Sequence, residues 1–182
     1  MFIEAAATCF AANGYAGTSV DDIAKAAGAT RATFYLHFAN KADVINALLG
    51  TVAEATEEVH AKLADAVAAG TREALHDWLD SAFDFWDRIG SLLLAQEEAA
   101  ALHAEVGTAR DDVFERGVAA MTAGLERAGR GGDDTRRIRA VLAYSQLQSL
   151  SRRWLRHGWD IDRARALELM TDVWMTTFAV PR

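Results

Sequence analysis

Between Gly28 and Lys41 the chain gathers side chains suited to reading the edge of a nucleic-acid duplex. Arg31 can pair bidentately with O6 and N7 of a guanine, and Ala32, the Thr33 methyl and Leu36 can touch thymine methyls. Phosphate oxygens need only donors: Tyr35, His37 and Lys41 supply them, joined by the hydroxyls of Thr18 and Ser19 and by backbone N–H groups at helix starts. Thr30, which opens the segment, completes the candidate contact set. Other chemistries lack their residues. His60, His76 and His103 stand apart without the paired spacing of metal ligands, so neither metal nor cofactor is expected. Ser145 and Ser149 flank Gln148 with no neighbouring His or Asp to activate them, and neither a nucleophile elbow nor a phosphate loop occurs. An enzyme is therefore not expected. Cys9, the single cysteine, sits on an apolar helix face and reads as a small buried hydrophobe.

These side chains must be carried by helices. The one proline, Pro181, is at the end, and runs rich in Ala, Leu, Glu and Arg replace any alternating strand pattern, so the chain is all-α. Glycine-centred breaks at 14–17, 28, 70, 90, 107, 129–132 and 158, with Gly50 tolerated inside a helix, give about nine helices. In the first, Ile3, Ala7 and Phe10 make one apolar stripe that stops at Asn13-Gly14. The second is short, with Thr18 and Asp21 approximating a capping box and Val20, Ile23, Ala24 and Ala27 facing inward. Ala27-Gly28-Ala29 allows only a tight turn before a third helix that Thr30 caps and that extends to Phe38. Two short helices across a glycine turn are the helix-turn-helix arrangement. Phe34 and Phe38 then face inward while Ala32, Thr33 and Leu36 point away.

Beyond residue 50 the aromatics dominate. A helix over about 71–88 carries Trp78, Phe85 and Trp86 on a broad apolar face, which is core or pocket. Phe114, Met121, Tyr144, Gln148 and Trp174 on later helices could close a largely apolar cavity around them, whose ligand would be a hydrophobic small molecule. Helices over 133–157 and 162–179 form an antiparallel pair joined at His157–Asp160, with Asp160 or Asp162 capping the second. Leu147, Leu150 and Trp154 cover more than one side of the first, which points to a homodimer seam there, with Trp174 across from them.

A net charge of −7 opposes phosphate binding unless it resides outside the reading segment. Residues 1–50 carry only Lys25, Arg31 and Lys41 against Glu4, Asp21, Asp22 and Asp43, although acids at helix starts also serve the helix dipole. Without a leader or a stretch of roughly 20 apolar residues, no membrane association and a cytoplasmic location are expected.

The run Gly28–Val44, preceded by Ser19–Ala24, closely resembles the TetR family of bacterial repressors over residues 1 to about 48. The resemblance implies a DNA-binding domain at 1–46 and a ligand-binding, dimerising domain at 47–182. It also implies a homodimer released from a palindromic, double-stranded DNA operator when a hydrophobic effector enters the body. It puts Arg31, Ala32 and Thr33 at base edges, Tyr35 and His37 near the backbone, and Lys41 on a phosphate. Ser19–Ala24 and Val173–Thr177 are similar to the ethionamide-resistance repressor branch of that family. The sparse positive charge keeps open a ligand-binding or interaction module that has lost DNA binding; a small helical enzyme is the remaining alternative.

Overall fold

In the computed structural model, residues 1–178 are described, apart from the side chain of Asp133; residue 179, expected to end the last helix, and Pro181 lie outside them. Among the described residues there are nine helices and no strand: α1 (Phe2–Asn13), α2 (Val20–Ala26), α3 (Arg31–Tyr35), α4 (Lys41–Gly50), α5 (Ala53–Ala69), α6 (Arg72–Ala100), α7 (Ala104–Arg127), α8 (Asp133–His157) and α9 (Arg163–Thr177). The number agrees with the glycine count because two departures offset each other. Gly50 closes α4 instead of lying inside a helix, with a turn at Thr51-Val52 before α5. Gly90 and Gly107 fall inside α6 and α7, and the break between those helices is at 101–103. An interior glycine costs about 1 kcal/mol relative to alanine, which a helix as long and as well packed as α6 absorbs.

The chain packs as two compact units, Met1–Glu54 with Ile89–Asp111, and Ala55–Arg88 with the chain from Asp112 onward. The stretch 89–111, expected in the body, thus packs with the head. The core of the first unit joins Phe2, Ala6 and Phe10 of α1, Ile23 of α2, Phe34 of α3 and Val44, Ile45 and Leu48 of α4 to Leu92, Ala95, Ala99 and Val106. Cys9 is free and buried there, and burial pushes its thiol pKa up, as a packing residue requires.

In the second unit two glycines of α7 set how closely helices approach. A Cβ at Gly117 would lie 2.3 Å from the Tyr144 ring, and one at Gly124 would lie 2.6 Å from the Ala64 carbonyl oxygen. Only glycine permits both contacts. Trp78 and Trp174 stack at 5.6 Å, and the Trp78 indole N–H donates to the Val59 carbonyl at 2.9 Å. Asp162 caps α9 by accepting from the Arg165 N–H at 2.7 Å. Asp160, the other expected cap, accepts from Arg153 instead.

Candidate nucleic-acid interface and body groove

The three head helices are placed by caps. Ser19, not Thr18, opens α2: its hydroxyl accepts from the Asp22 N–H at 3.1 Å while the Asp22 carboxylate accepts from the Ser19 N–H at 2.9 Å. Those bonds hold the Asp22 pKa below the ordinary carboxylate value. The capping box therefore sits one residue later than expected. Thr18 is 2% exposed, and its hydroxyl donates to the Gly14 carbonyl at 2.7 Å; its own N–H goes to the Tyr15 carbonyl. Thr18 has nothing left for a phosphate, which corrects its assignment as a contact. Ser19 stays exposed beside its cap partner.

Gly28, at φ +65°, makes the turn that a residue with a Cβ would strain, and Thr30 caps α3 by accepting from the Thr33 N–H at 3.1 Å. The regular helix ends at Tyr35, short of the expected Phe38, because tighter bonds from Leu36 and His37 to Thr33 and Phe34 lead into the Asn40 cap of α4. Phe34 is fully buried against Phe2 and Phe38, whereas Arg31, Ala32, Tyr35 and His37 are exposed and Leu36 is 83% exposed. Thr33 is half-buried, with its hydroxyl 2.9 Å from that of Thr30. The sequence thus correctly divided the inward from the outward face.

Two basic residues are engaged within the head. The Lys41 ammonium donates to the carbonyls of Tyr15 and Thr18, and lies 4.0 Å from the Tyr15 ring centroid. Burial lowers its pKa, opposed by Glu98. Lys41 is a staple between α4 and the α1–α2 turn, which leaves one of its three N–H donors for the phosphate expected there. The same turn is held by Glu98, whose carboxylate accepts from the Ala16 N–H at 2.9 Å. Tyr15 is buried in this joint and its pKa is pushed up to about 12, chiefly by burial. Arg31 pairs with Asp21 at 3.2 Å and donates to the Tyr35 hydroxyl at 3.3 Å, both side chains in open solvent. These bonds to Tyr35 and the charge of Asp21 raise its pKa. Sequence reasoning took Tyr35 as a phosphate contact and missed its bond to Arg31, although a spacing of four permits it.

The head matches the family model described as "Bacterial regulatory proteins, tetR family" over residues 2–48. The regulator TtgR of Pseudomonas putida is 48% identical over 52 residues, which is 29% of this chain and 25% of TtgR. The chain therefore spans about a quarter of the length of that relative. EthR of Mycobacterium tuberculosis is 27% identical over 170 residues, 89% of this chain and 78% of EthR. The head thus matches the TetR family model, and over most of its length the chain is similar to EthR. The solved structure of the fatty acid degradation regulator FadR from Bacillus halodurans shares this fold, with a TM-score of 0.69 at 22% identity over 96% of both chains.

Of the eight expected ligand residues in the body, two share a groove. Trp78 and Phe85 line an open groove of about 560 Å³ between α5 and α6, with Ala55, Val59, Ala66 and Arg88. Trp174 and Met121 are fully buried, and the Trp174 indole N–H is buried without a partner. Trp86 packs against Trp154 at 6.2 Å, while Phe114 meets Tyr144 edge-on at 5.4 Å. Tyr144 also meets His60, with Nε2 at 3.0 Å from the hydroxyl, and lies beside Gln148. Desolvation lowers the His60 pKa, keeping the ring neutral. That pair escaped sequence reasoning because 84 residues separate its members. Leu147, Trp154 and Trp174, expected at a dimer seam, are buried within their own unit, and Leu150 is half-buried. Ile138 and Leu142 on α8 and Leu169 and Val173 on α9 are the exposed apolar residues of that helix pair.

Proposed function

We propose that this TetR-family chain is a ligand-responsive transcriptional repressor that reads a palindromic operator as a homodimer and leaves it when a hydrophobic small molecule binds the body. The carrying observation is the outward face of α3, where Arg31, Ala32 and Leu36 stand exposed on a helix capped by Thr30 and anchored by buried Phe34. Arg31 reads a guanine edge; Ala32, the Thr33 methyl and Leu36 touch thymine methyls; Ser19, Tyr35 and His37 flank them toward the backbone. Residues 1–46 act as the reading domain and 47–182 as the sensing and dimerising domain, in the cytoplasm. The effector enters beside Trp78 and Phe85, whose groove supports an apolar ligand. The spacing of four within Ile138/Leu142 and within Leu169/Val173 supports the dimer seam on that side of α8 and α9.

A second reading, a module that has lost DNA binding, is favoured by the engagement of Arg31 and Lys41 within the head. Selection from a randomised duplex pool separates the two. The repressor reading expects a recovered consensus, with Arg31→Ala losing preference at one base pair by about 1–3 kcal/mol. Lys41→Ala, in contrast, is expected to lower the melting temperature of the head, because it leaves two carbonyls without their donor, at a cost of about 1–3 kcal/mol. Recovery of no consensus by the native chain favours the second reading.

A further inference from the structure

Asp21 lies in the first turn of α2 and Arg31 opens α3, so their 3.2 Å pair spans the turn of the helix-turn-helix. Tyr35, one turn further along α3, takes the other terminal nitrogen at 3.3 Å, and its ring centroid lies 5.5 Å from the guanidinium carbon. We propose that Asp21 is a positioning residue for sequence discrimination: with Tyr35, it fixes the Arg31 fork toward a base edge instead of leaving it free for phosphates. The inference rests on the reading of α3 as a duplex-reading helix.

The geometry leaves Arg31 able to do this. Asp21 and Tyr35 engage one N–H on each terminal nitrogen, and the remaining N–H groups of the guanidinium still suffice for a bidentate pair with guanine O6 and N7. An arginine held from two sides loses less rotamer freedom when it meets its base than one that sweeps through solvent. The carboxylate also acts on every duplex alike, since it repels phosphates and offsets the charge of Arg31. Asp21 thus lowers affinity for DNA in general and raises the premium on the correct base. A residue serving only the start of α2 would do neither, and the Ser19–Asp22 capping box serves that purpose without it.

The test compares the full chain on a duplex selected from a randomised pool and on a random-sequence duplex of equal length at one salt concentration. Asp21→Ala is expected to bind the random duplex more tightly and to lose roughly two- to fivefold in the ratio of selected to random affinity, the worth of an exposed pair. Asp21→Asn removes the same charge but keeps an acceptor for Arg31. It gains the same random-duplex affinity and retains more of the ratio. In an Arg31→Ala background, Asp21→Ala leaves the ratio unchanged. Melting curves of each variant separate loss of fold from loss of discrimination. A ratio unaffected by Asp21→Ala, or one lowered equally with and without Arg31, overturns the role of Asp21 and leaves duplex reading intact. Failure of the native chain to select any sequence overturns duplex reading, and the inference with it.

Discussion

His60 shows how burial fixes the state of one side chain. The ring is 5% exposed, its Nε2 faces the Tyr144 hydroxyl, and its Nδ1 is buried without a partner. The charges around it divide: Glu57 favours protonation, and Arg116, paired with Glu57 at 2.7 Å, opposes it. Desolvation is the largest cause, so the folded pKa lies below the ordinary 6.5. The unfolded chain therefore binds the extra proton first on acidification. The stability contributed by neutral His60 is complete above about 6.5 and is lost as pH falls toward the folded value. Melting temperatures measured between pH 7.5 and 5 should decline for the native chain, and His60→Gln should flatten that decline while lowering stability throughout. A parallel decline in both proteins would place the acid sensitivity elsewhere.

At the scale of elements, α7 is defined by what it lacks. Gly117 and Gly124, seven residues apart, let Tyr144 of α8 and the backbone of α5 come closer than any side chain would allow. Gly117→Ala would place its methyl within the Tyr144 ring. It should destabilise the protein by about 1–3 kcal/mol through overpacking. A Gly117→Ala, Tyr144→Phe double variant tests the cause: relief is not expected, because the clash involves ring carbons that phenylalanine retains. Chemical denaturation of both variants measures this directly. Glycine in the sequence signals a break in one place and a close approach in another, and the letter is identical. Gly28, between two short segments with caps on either side, was legible as a turn, whereas Gly90 and Gly107 were read as breaks although they lie inside helices.

For the whole molecule, three residues expected at a dimer seam are covered within their own unit. Leu147, Trp154 and Trp174 are large and apolar, and their helical positions alone do not say whether the neighbour covering them belongs to the same chain. Trp154 turns out to pack on Phe83 and to donate its indole N–H to Asp87 at 2.8 Å. The exposed stripe is instead Ile138, Leu142, Leu169 and Val173, with Leu142 55% and Leu169 53% exposed. Combining Leu142→Glu with Leu169→Glu should convert a dimer to a monomer in sedimentation equilibrium at micromolar concentration without unfolding it, since neither side chain supports the core. A dimeric mass retained by that variant would move the interface away from this face.

The outward face of α3 was legible in the sequence alone, because a spacing of four puts Phe34 and Phe38 on one side and a glycine turn with flanking caps leaves few alternatives. The all-helical architecture and the family of the head were equally legible, being properties of local pattern. Only tertiary structure could decide which outward-looking groups are free. Lys41 reaches back 26 residues to the Tyr15 carbonyl and Thr18 turns its hydroxyl inward, while Asp21 comes beside Arg31. Hydrogen-bond partners distant along the chain leave no periodicity. Their positions are fixed by how the helices pack, and it is that packing which brings Asp21 from the neighbouring helix beside Arg31.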